Sequence, residues 1–272
     1  MASKINLSSA NPTEEEKQTI VEALRQKLQG IKTVKNINTD EEYLLRWLYS
    51  TEFDVETSFL RMKDYHENMV ENPTWFQKES PLNRKSSFEM NAAIMIPAHD
   101  KEGRPIYISK IGNLDPDQTT FADEACIDDI WYEYILDKNP EIAKIGLCVI
   151  LDLGGISWKY LKMLNYKDCK LGLRKLSCLP FKELKLHCVN NSKYTKLMLK
   201  IVQPFIPEES KKQMFFHFDN CATLYDYIDK DNLPPEYGGY NKINHKKIYE
   251  KLFDKADAIT ENFRLHRNVI KS

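Results

Sequence analysis

Residues 186–239, LHCVNNSKYTKLMLKIVQPFIPEESKKQMFFHFDNCATLYDYIDKDNLPPEYGG, decide the reading of the chain. Leu186 to Val189 is a short apolar run of the kind that forms a buried strand. After Asn190, the residues Tyr194, Leu197, Met198, Ile201, Val202 and Phe205 recur at i, i+3, i+4, i+7, i+8 and i+11. That spacing places them on one apolar face of an α-helix. Lys193, Lys196, Lys200 and Gln203 fall on the opposite face. Pro204 and Pro207 stop the helix, because proline lacks the amide donor and clashes with the preceding turn. Met214–Phe218 reads as a second strand, and the segment closes on Leu233-Pro-Pro-Glu-Tyr-Gly-Gly239. The glycine pair suits a chain reversal that needs positive φ.

Working outward, 272 residues suffice for one large domain or two modest ones with a substantial core. A hydrophobic content of 42% with 12 Phe, 14 Tyr and 4 Trp excludes a disordered chain. No run approaches the 18 or more apolar residues of a membrane span, and MASKINLSSA at the start has no apolar run of signal-peptide type. A cytoplasmic protein is expected. Its cysteines, Cys126, Cys148, Cys169, Cys178, Cys188 and Cys221, show no CxxC pair and read as reduced, mostly core residues. Net charge is −1, but Lys159–Lys212 holds 13 Lys/Arg against four acids, a local +9 that leaves −10 elsewhere. A basic block on a near-neutral protein suits an anionic surface.

Upstream, Thr13-Glu-Glu-Glu16 and Thr39-Asp-Glu-Glu42 each have the form of a capping box, and Asp54 can cap a third helix. The faces are Ile20, Val21, Leu24, Leu28, then Tyr43 to Leu48, then Val55, Phe59, Met62, Met69. Together they predict a three-helix bundle over residues 13–75, with Lys78–Lys85 as a polar linker. A second unit over 88–240 opens with a hairpin, Ile94–Ile96 and Ile106–Ile108, turning at Gly103. A helix carrying Ile127, Ile130, Trp131, Tyr134 and Ile135 follows. Leu147–Leu151 lacks polar alternation and reads as a strand buried on both faces, ending in Asp152-Leu-Gly-Gly155. Strands alternating with helices predict a mixed, largely parallel sheet covered by helices. Residues 241–272 predict one terminal helix through Ile248, Leu252, Phe253, Ala256, Ile259 and Phe263.

The order strand, Asn190, basic amphipathic helix ending in Gln-Pro-Phe-Ile, strand, L-P-P-E-Y-G-G resembles the CRAL-TRIO (Sec14-like) lipid-binding family. Within it the chain is most similar to the α-tocopherol transfer and retinaldehyde-binding branch. Residues 44–65, LLRWLYSTEFDVETSFLRMKDY, look like the helical module that precedes the lipid domain there. The resemblance implies a mobile gate helix over an apolar cavity. Cavity walls would come from Leu147, Val149, Leu151, Trp158, Leu161, Leu164, Leu186 and Cys188, and the lid from the Tyr194–Phe205 face. It implies a bound tocopherol, retinoid, carotenoid or phospholipid and transient contact with an anionic membrane; a monomer is expected, and no nucleic acid, since the basic stretch lacks the exposed interleaved aromatics of a known module. Lys182, Lys193, Lys196, Lys200, Lys211 and Lys212 are the candidate headgroup contacts. Two departures stand out. Asn190-Asn191-Ser192 replaces the Asn-x-Pro of many relatives. Of the basic positions that hold phosphoinositide headgroups in that branch only Lys182 persists, the others falling on Thr51, Glu209 and Gln213.

Catalytic signals are lacking. The six histidines form no H-E-x-x-H, and there is no G-x-S-x-G elbow, phosphate loop or dinucleotide fingerprint. Asp152 reads as a turn residue, and His187 and His217 as core histidines. No metal or cofactor is expected, and the protein is not an enzyme on this reading. A carrier explains the energetics: opening six Leu- or Phe-sized gate residues into water would cost roughly 9–18 kcal/mol, against a domain stability of about 5–15 kcal/mol. The alternative is a trafficking or signalling adaptor whose Sec14-like domain senses phosphoinositide or phospholipid. A filled, dry core would favour it.

Overall fold

The N-terminal helices begin where their caps satisfy otherwise unpaired amides. The computed structural model describes residues 12–218, 221–267 and 269–271. At the start of α1 (Glu14–Gln29), the Thr13 amide donates to Glu16 Oε2 at 2.7 Å and the Glu16 amide to Thr13 Oγ1 at 3.2 Å, the expected capping box. A short strand β1 (Val34–Lys35) follows. The second box does not form. In α2 (Glu41–Ser50) the N-cap is Asp40, whose side chain makes no cap bond. Asn38 Oδ1 accepts the Asp40 amide at 2.9 Å, and the Glu42 carboxylate is drawn away to the backbone and Nζ of Lys138. Asp54 caps α3 (Val55–Glu71) by accepting from the Thr57 amide at 2.6 Å.

Lys78–Lys85 is not a solvated linker. Lys78 is buried, donates to the Tyr65 hydroxyl at 2.9 Å and pairs with Asp129 at 3.4 Å. Arg84 pairs with Asp123 at 2.6 Å and Glu79 at 2.9 Å, and the chain turns into α4 (Lys85–Glu89). A polar composition suggested solvent, but Asp123, which receives Arg84, lies 39 residues after it, and Asp129, which receives Lys78, lies 51 residues after it.

The hairpin β2 (Ala93–His99) and β3 (Pro105–Lys110) is antiparallel, turning through Gly103 at φ 85°. There follow α5 (Phe121–Leu136), α6 (Ile142–Ile145), β4 (Leu147–Asp152), α7 (Trp158–Met163), α8 (Tyr166–Ser177) and β5 (Leu184–Val189). Next come α9 (Thr195–Val202), α10 (Glu208–Lys211) and β6 (Met214–His217). The sheet order is β2-β3-β4-β5-β6, with every pair after the hairpin parallel, so the expected mixed, largely parallel sheet is present. The terminal segment is two helices rather than one, α11 (His245–Asp254) and α12 (Ala256–Arg267), and β7 (Ile270–Lys271) pairs back onto β1. The break at Lys255 carries no Gly or Pro, so periodicity ran across it; both helices bury apolar faces through Leu252, Ile259 and Phe263.

Two apolar clusters result. The larger runs continuously from α1–α3 through α5 and the sheet to α11 and α12. The smaller gathers Ile111, Leu153, Ile156, Tyr160, Leu161, Cys188 and Met198 between the sheet, α7 and α9.

Candidate functional site

Strand register decides which side chains can share a wall. Leu147, Val149 and Leu151 alternate to one face of β4, and parallel pairing sets Leu186 beside Val149 and Cys188 beside Leu151. Leu186 in turn pairs with Met214. Leu151, Leu186 and Cys188 belong to the smaller cluster with Leu161, Leu164, Tyr194, Met198 and Val202, so eight of the anticipated wall and lid residues come together. Leu147 and Val149 pack into the larger cluster. Trp158 stays half exposed, 6.0 Å from the Tyr194 ring.

The helix over this cluster is turned relative to the expected face. Thr195 and Met198 are buried, Leu199 and Val202 pack against the cluster, and Leu197 is 42% exposed. Ile201 is partly buried, and Phe205, in the short turn containing Pro204, stacks edge-on to Tyr166 at 5.0 Å. Leu199 was missed because it sits between Lys196 and Lys200 in a run where nearly every residue is apolar. Among the described residues, no side chain of α9 makes a hydrogen bond or ion pair to the body of the protein; Thr195 Oγ1 is engaged locally by the Ser192 amide at 2.8 Å. Among the described residues, apolar contact alone holds this helix down.

Lys193, Lys196 and Lys200 are exposed and, among the described residues, form no ion pair. The other three candidate headgroup lysines are already matched: Lys182 with Glu52 at 2.7 Å, Lys211 with Glu208 at 2.6 Å and Lys212 with Glu209 at 2.7 Å.

A cavity of about 220 Å³ lies among α5, α8 and the end of α9. Leu164 and Val202, from the expected wall and lid sets, are among its lining residues. Trp75, Phe121, Tyr132, Leu173, Leu176 and Leu179 complete most of its apolar wall and were not foreseen. Glu124 and Asp128 stand in the same wall. Burial, aided by Asp128 and Asp123, pushes the Glu124 carboxyl up to about 8, and burial raises Asp128 to about 6. The signal for them was available: Glu124 and Asp128 stand one turn apart on a helix whose other buried residues are mostly apolar, Asp129 and Glu133 being matched by cations.

Asp152 is structural. Its Oδ1 accepts from the Gly154 amide at 2.9 Å and from Asn190 Nδ2 at 3.0 Å, and its Oδ2 accepts from the Tyr237 hydroxyl at 3.0 Å. One carboxylate thus ties together the turn after β4, the segment leading to α9 and the closing LPPEYGG. Gly238 has φ 79° as expected, whereas Gly239 is required by a close approach: a Cβ there would sit 2.0 Å from the Leu233 carbonyl oxygen. His187 and His217 are buried and face one another, Nδ1 to Nε2, at 3.1 Å. Among the described residues no helix is long and apolar enough to cross a membrane, and no cluster of His, Cys, Asp and Glu could hold a metal ion.

Comparison with known proteins bears on the same region. A family model, the CRAL/TRIO domain, matches residues 89–239. Clavesin-1 of Rattus norvegicus is 24% identical over 210 residues, 75% of this chain and 58% of the relative. Clavesin-2 of Homo sapiens is 24% identical over 206 residues, 75% of this chain and 63% of the relative. The chain therefore spans about three-fifths of the length of these relatives. Among solved structures, the crystal structure of Sfh5 superposes over 91% of this chain and 96% of its own, with a TM-score of 0.48 and 13% identity.

Proposed function

The chain belongs to the CRAL/TRIO domain family of lipid-binding proteins, and we propose that it is a lipid carrier whose α9 opens at membranes to exchange one hydrophobic molecule, without chemistry on that molecule. The observation that carries this reading is the attachment of α9. It walls the cavity through Val202 yet, among the described residues, is held by apolar contact alone, with its lysines exposed and free of ion pairs.

The cavity, at about 220 Å³, is smaller than the roughly 300–1,000 Å³ of typical small-molecule sites. A tocopherol, retinoid, carotenoid or phospholipid therefore needs it to widen, and α9 is the wall free to move. Exposing Met198, Leu199 and Val202 costs about 1.5–3 kcal/mol each in water, a large fraction of a fold's whole stability. An apolar acceptor removes that cost. At a bilayer interface the helix face meets acyl chains, and Lys193, Lys196 and Lys200 meet anionic headgroups at about 1 kcal/mol each. Leu197 and Trp158, already exposed beside the helix, would make the first contact. An adaptor with a vestigial site would have a filled core here, so the cavity favours the carrier.

The test is native mass spectrometry of the protein purified from its own cells, with lipid extraction, followed by thermal unfolding of delipidated protein against a lipid panel. One apolar ligand per chain is expected, with stabilisation of about 2.7 kcal/mol at a hundredfold excess over Kd. Absence of both a co-purifying lipid and any rise in Tm overturns the reading.

A further inference from the structure

The cavity beside α9 is apolar except along a stretch of wall that is acidic. Glu124 and Asp128 line it from α5, and both also line a second, smaller cavity of about 60 Å³ among Ser87, Ser109, Thr119 and Asp123. Glu124 Oε1 is buried and has no hydrogen-bond partner among the described residues. Burial keeps this carboxyl protonated at neutral pH, so one group offers both a donor and an acceptor. Asp128 is served by the Tyr107 hydroxyl, which donates to its Oδ1. Lys175, the one cation among the described lining residues, is already used: its Nζ donates to the carbonyls of Trp75 and Ala125 at 2.9 and 3.0 Å and pairs with Asp129 at 3.0 Å. Asp168 adds a further acid to the lining.

We propose that Glu124 and Asp128 form the head site of the carrier, selecting a lipid with an uncharged hydroxyl end and rejecting one whose buried end is anionic. This rests on the lipid-carrier reading above and names the ligand class for it. A hydroxyl can donate to Glu124 Oε1 and accept in return, which supplies the partner that oxygen lacks. A carboxylate or phosphate would instead set a second negative charge beside Asp128, in surroundings of low dielectric and with no cation free to meet it among the described lining residues. The tail then lies along Phe121, Leu173, Leu176 and Val202, while the small polar cavity accommodates the hydroxyl and any water accompanying it.

The experiment titrates the delipidated full chain at neutral pH with dodecanol, dodecanoate and dodecane delivered from cyclodextrin. Binding is read by native mass spectrometry and by the fluorescence of Trp75 in the cavity wall. Dodecanol is expected to bind about tenfold more tightly than dodecanoate. Glu124→Leu should lose about tenfold for dodecanol and nothing for dodecane. Glu124→Gln keeps a donor and an acceptor and should bind dodecanol nearly as the parent does, which also covers the case in which the leucine variant fails to fold. Equal or tighter binding of dodecanoate by the parent overturns the head-site assignment and leaves the carrier intact. So does equal dodecanol binding by parent and Glu124→Leu, or a dodecanol loss in Glu124→Gln as large as that expected of the leucine variant. Failure of all three probes to bind the parent overturns the carrier reading itself.

Discussion

The junction of the N-terminal helices with α5 and the junction of α9 with the sheet are both apolar, but only the first is locked by charge. Arg46 donates through Nη1 and Nη2 to both oxygens of Glu133 at 2.8 and 2.9 Å, with both side chains buried. Lys78 and Lys175 converge on Asp129 beside it, and Asn262 of α12 donates to Glu133 at 2.8 Å. Separating these elements would strand several charges in a dry interior, which costs far more than exposing the same area of hydrocarbon. Lifting α9 strands none. The same kind of apolar area therefore makes a permanent seam in one place and a releasable one in the other.

The largest test of that difference is Arg46→Leu. It leaves Glu133 buried without its bidentate partner and should cost about 3–5 kcal/mol in denaturant unfolding. Met198→Ala, the corresponding cut at the α9 seam, should cost about 2–3 kcal/mol, at the low end for a buried methionine because the neighbouring Leu197 is exposed. The two variants should also separate by function. Met198→Ala should speed vesicle-to-vesicle lipid transfer per folded molecule, while Arg46→Leu should leave transfer by its folded fraction unchanged. Equal stability losses, or faster transfer in Arg46→Leu, would erase the distinction between the seams.

Much of the fold was legible in local signals. The Thr13 box, the Asp54 cap and the hairpin at Gly103 follow from residues close to one another in the chain, and β4 and β5 each read as a short apolar run. What escaped depends on partners far along the chain. Lys78 looked solvated because Asp129 cannot be assigned to it by spacing, and Glu42 left its cap for Lys138. The cavity wall from α8 escaped for a related reason: Leu173 and Leu176 face it only once α8 has packed beside α5. On α9, Leu197, Met198 and Leu199 are consecutive, so the apolar arc is wide and its centre cannot be read to within one residue. Tertiary contact chose Leu199 over Leu197.

The acidic wall gives a smaller effect with a definite sign. A folded-state value of about 8 for Glu124, raised above its unfolded value near 4.5, gives stability that is complete below pH 4.5 and lost as pH rises towards 8. The buried histidines act in the opposite direction. His66 and His187, lowered to about 4, add stability as pH rises towards 6.5 and nothing beyond. Asp128, raised to about 6, has finished its own loss by then. Between pH 6.5 and 8, then, Glu124 should dominate, and denaturant unfolding should show a fall of about 1–2 kcal/mol that Glu124→Gln abolishes. A parent whose stability is flat across that window would place Glu124 in water and remove the acidic wall.

The smallest effect on the fold should come from the outer face of α9, where it separates two kinds of lysine. Among the described residues, Lys193, Lys196 and Lys200 have no carboxylate to leave, whereas Lys211 and Lys212 are paired with Glu208 and Glu209. Replacing all three of the first group by Gln should change stability by no more than about 0.5 kcal/mol, as for exposed positions generally. It should still weaken binding to anionic vesicles, since each cation near such a surface contributes about 1 kcal/mol. Lys211→Gln with Lys212→Gln should weaken vesicle binding less, because those charges are already half neutralised by their partners within a Debye length of about 8 Å at physiological salt. Raising the salt should narrow the gap between the triple variant and the parent, while ligand affinity in solution stays equal for both. If the double variant lost more vesicle binding than the triple variant at low salt, the membrane contact would move from α9 to the α10 end of the segment, and the helix held by apolar contact alone would no longer be the part that meets the bilayer.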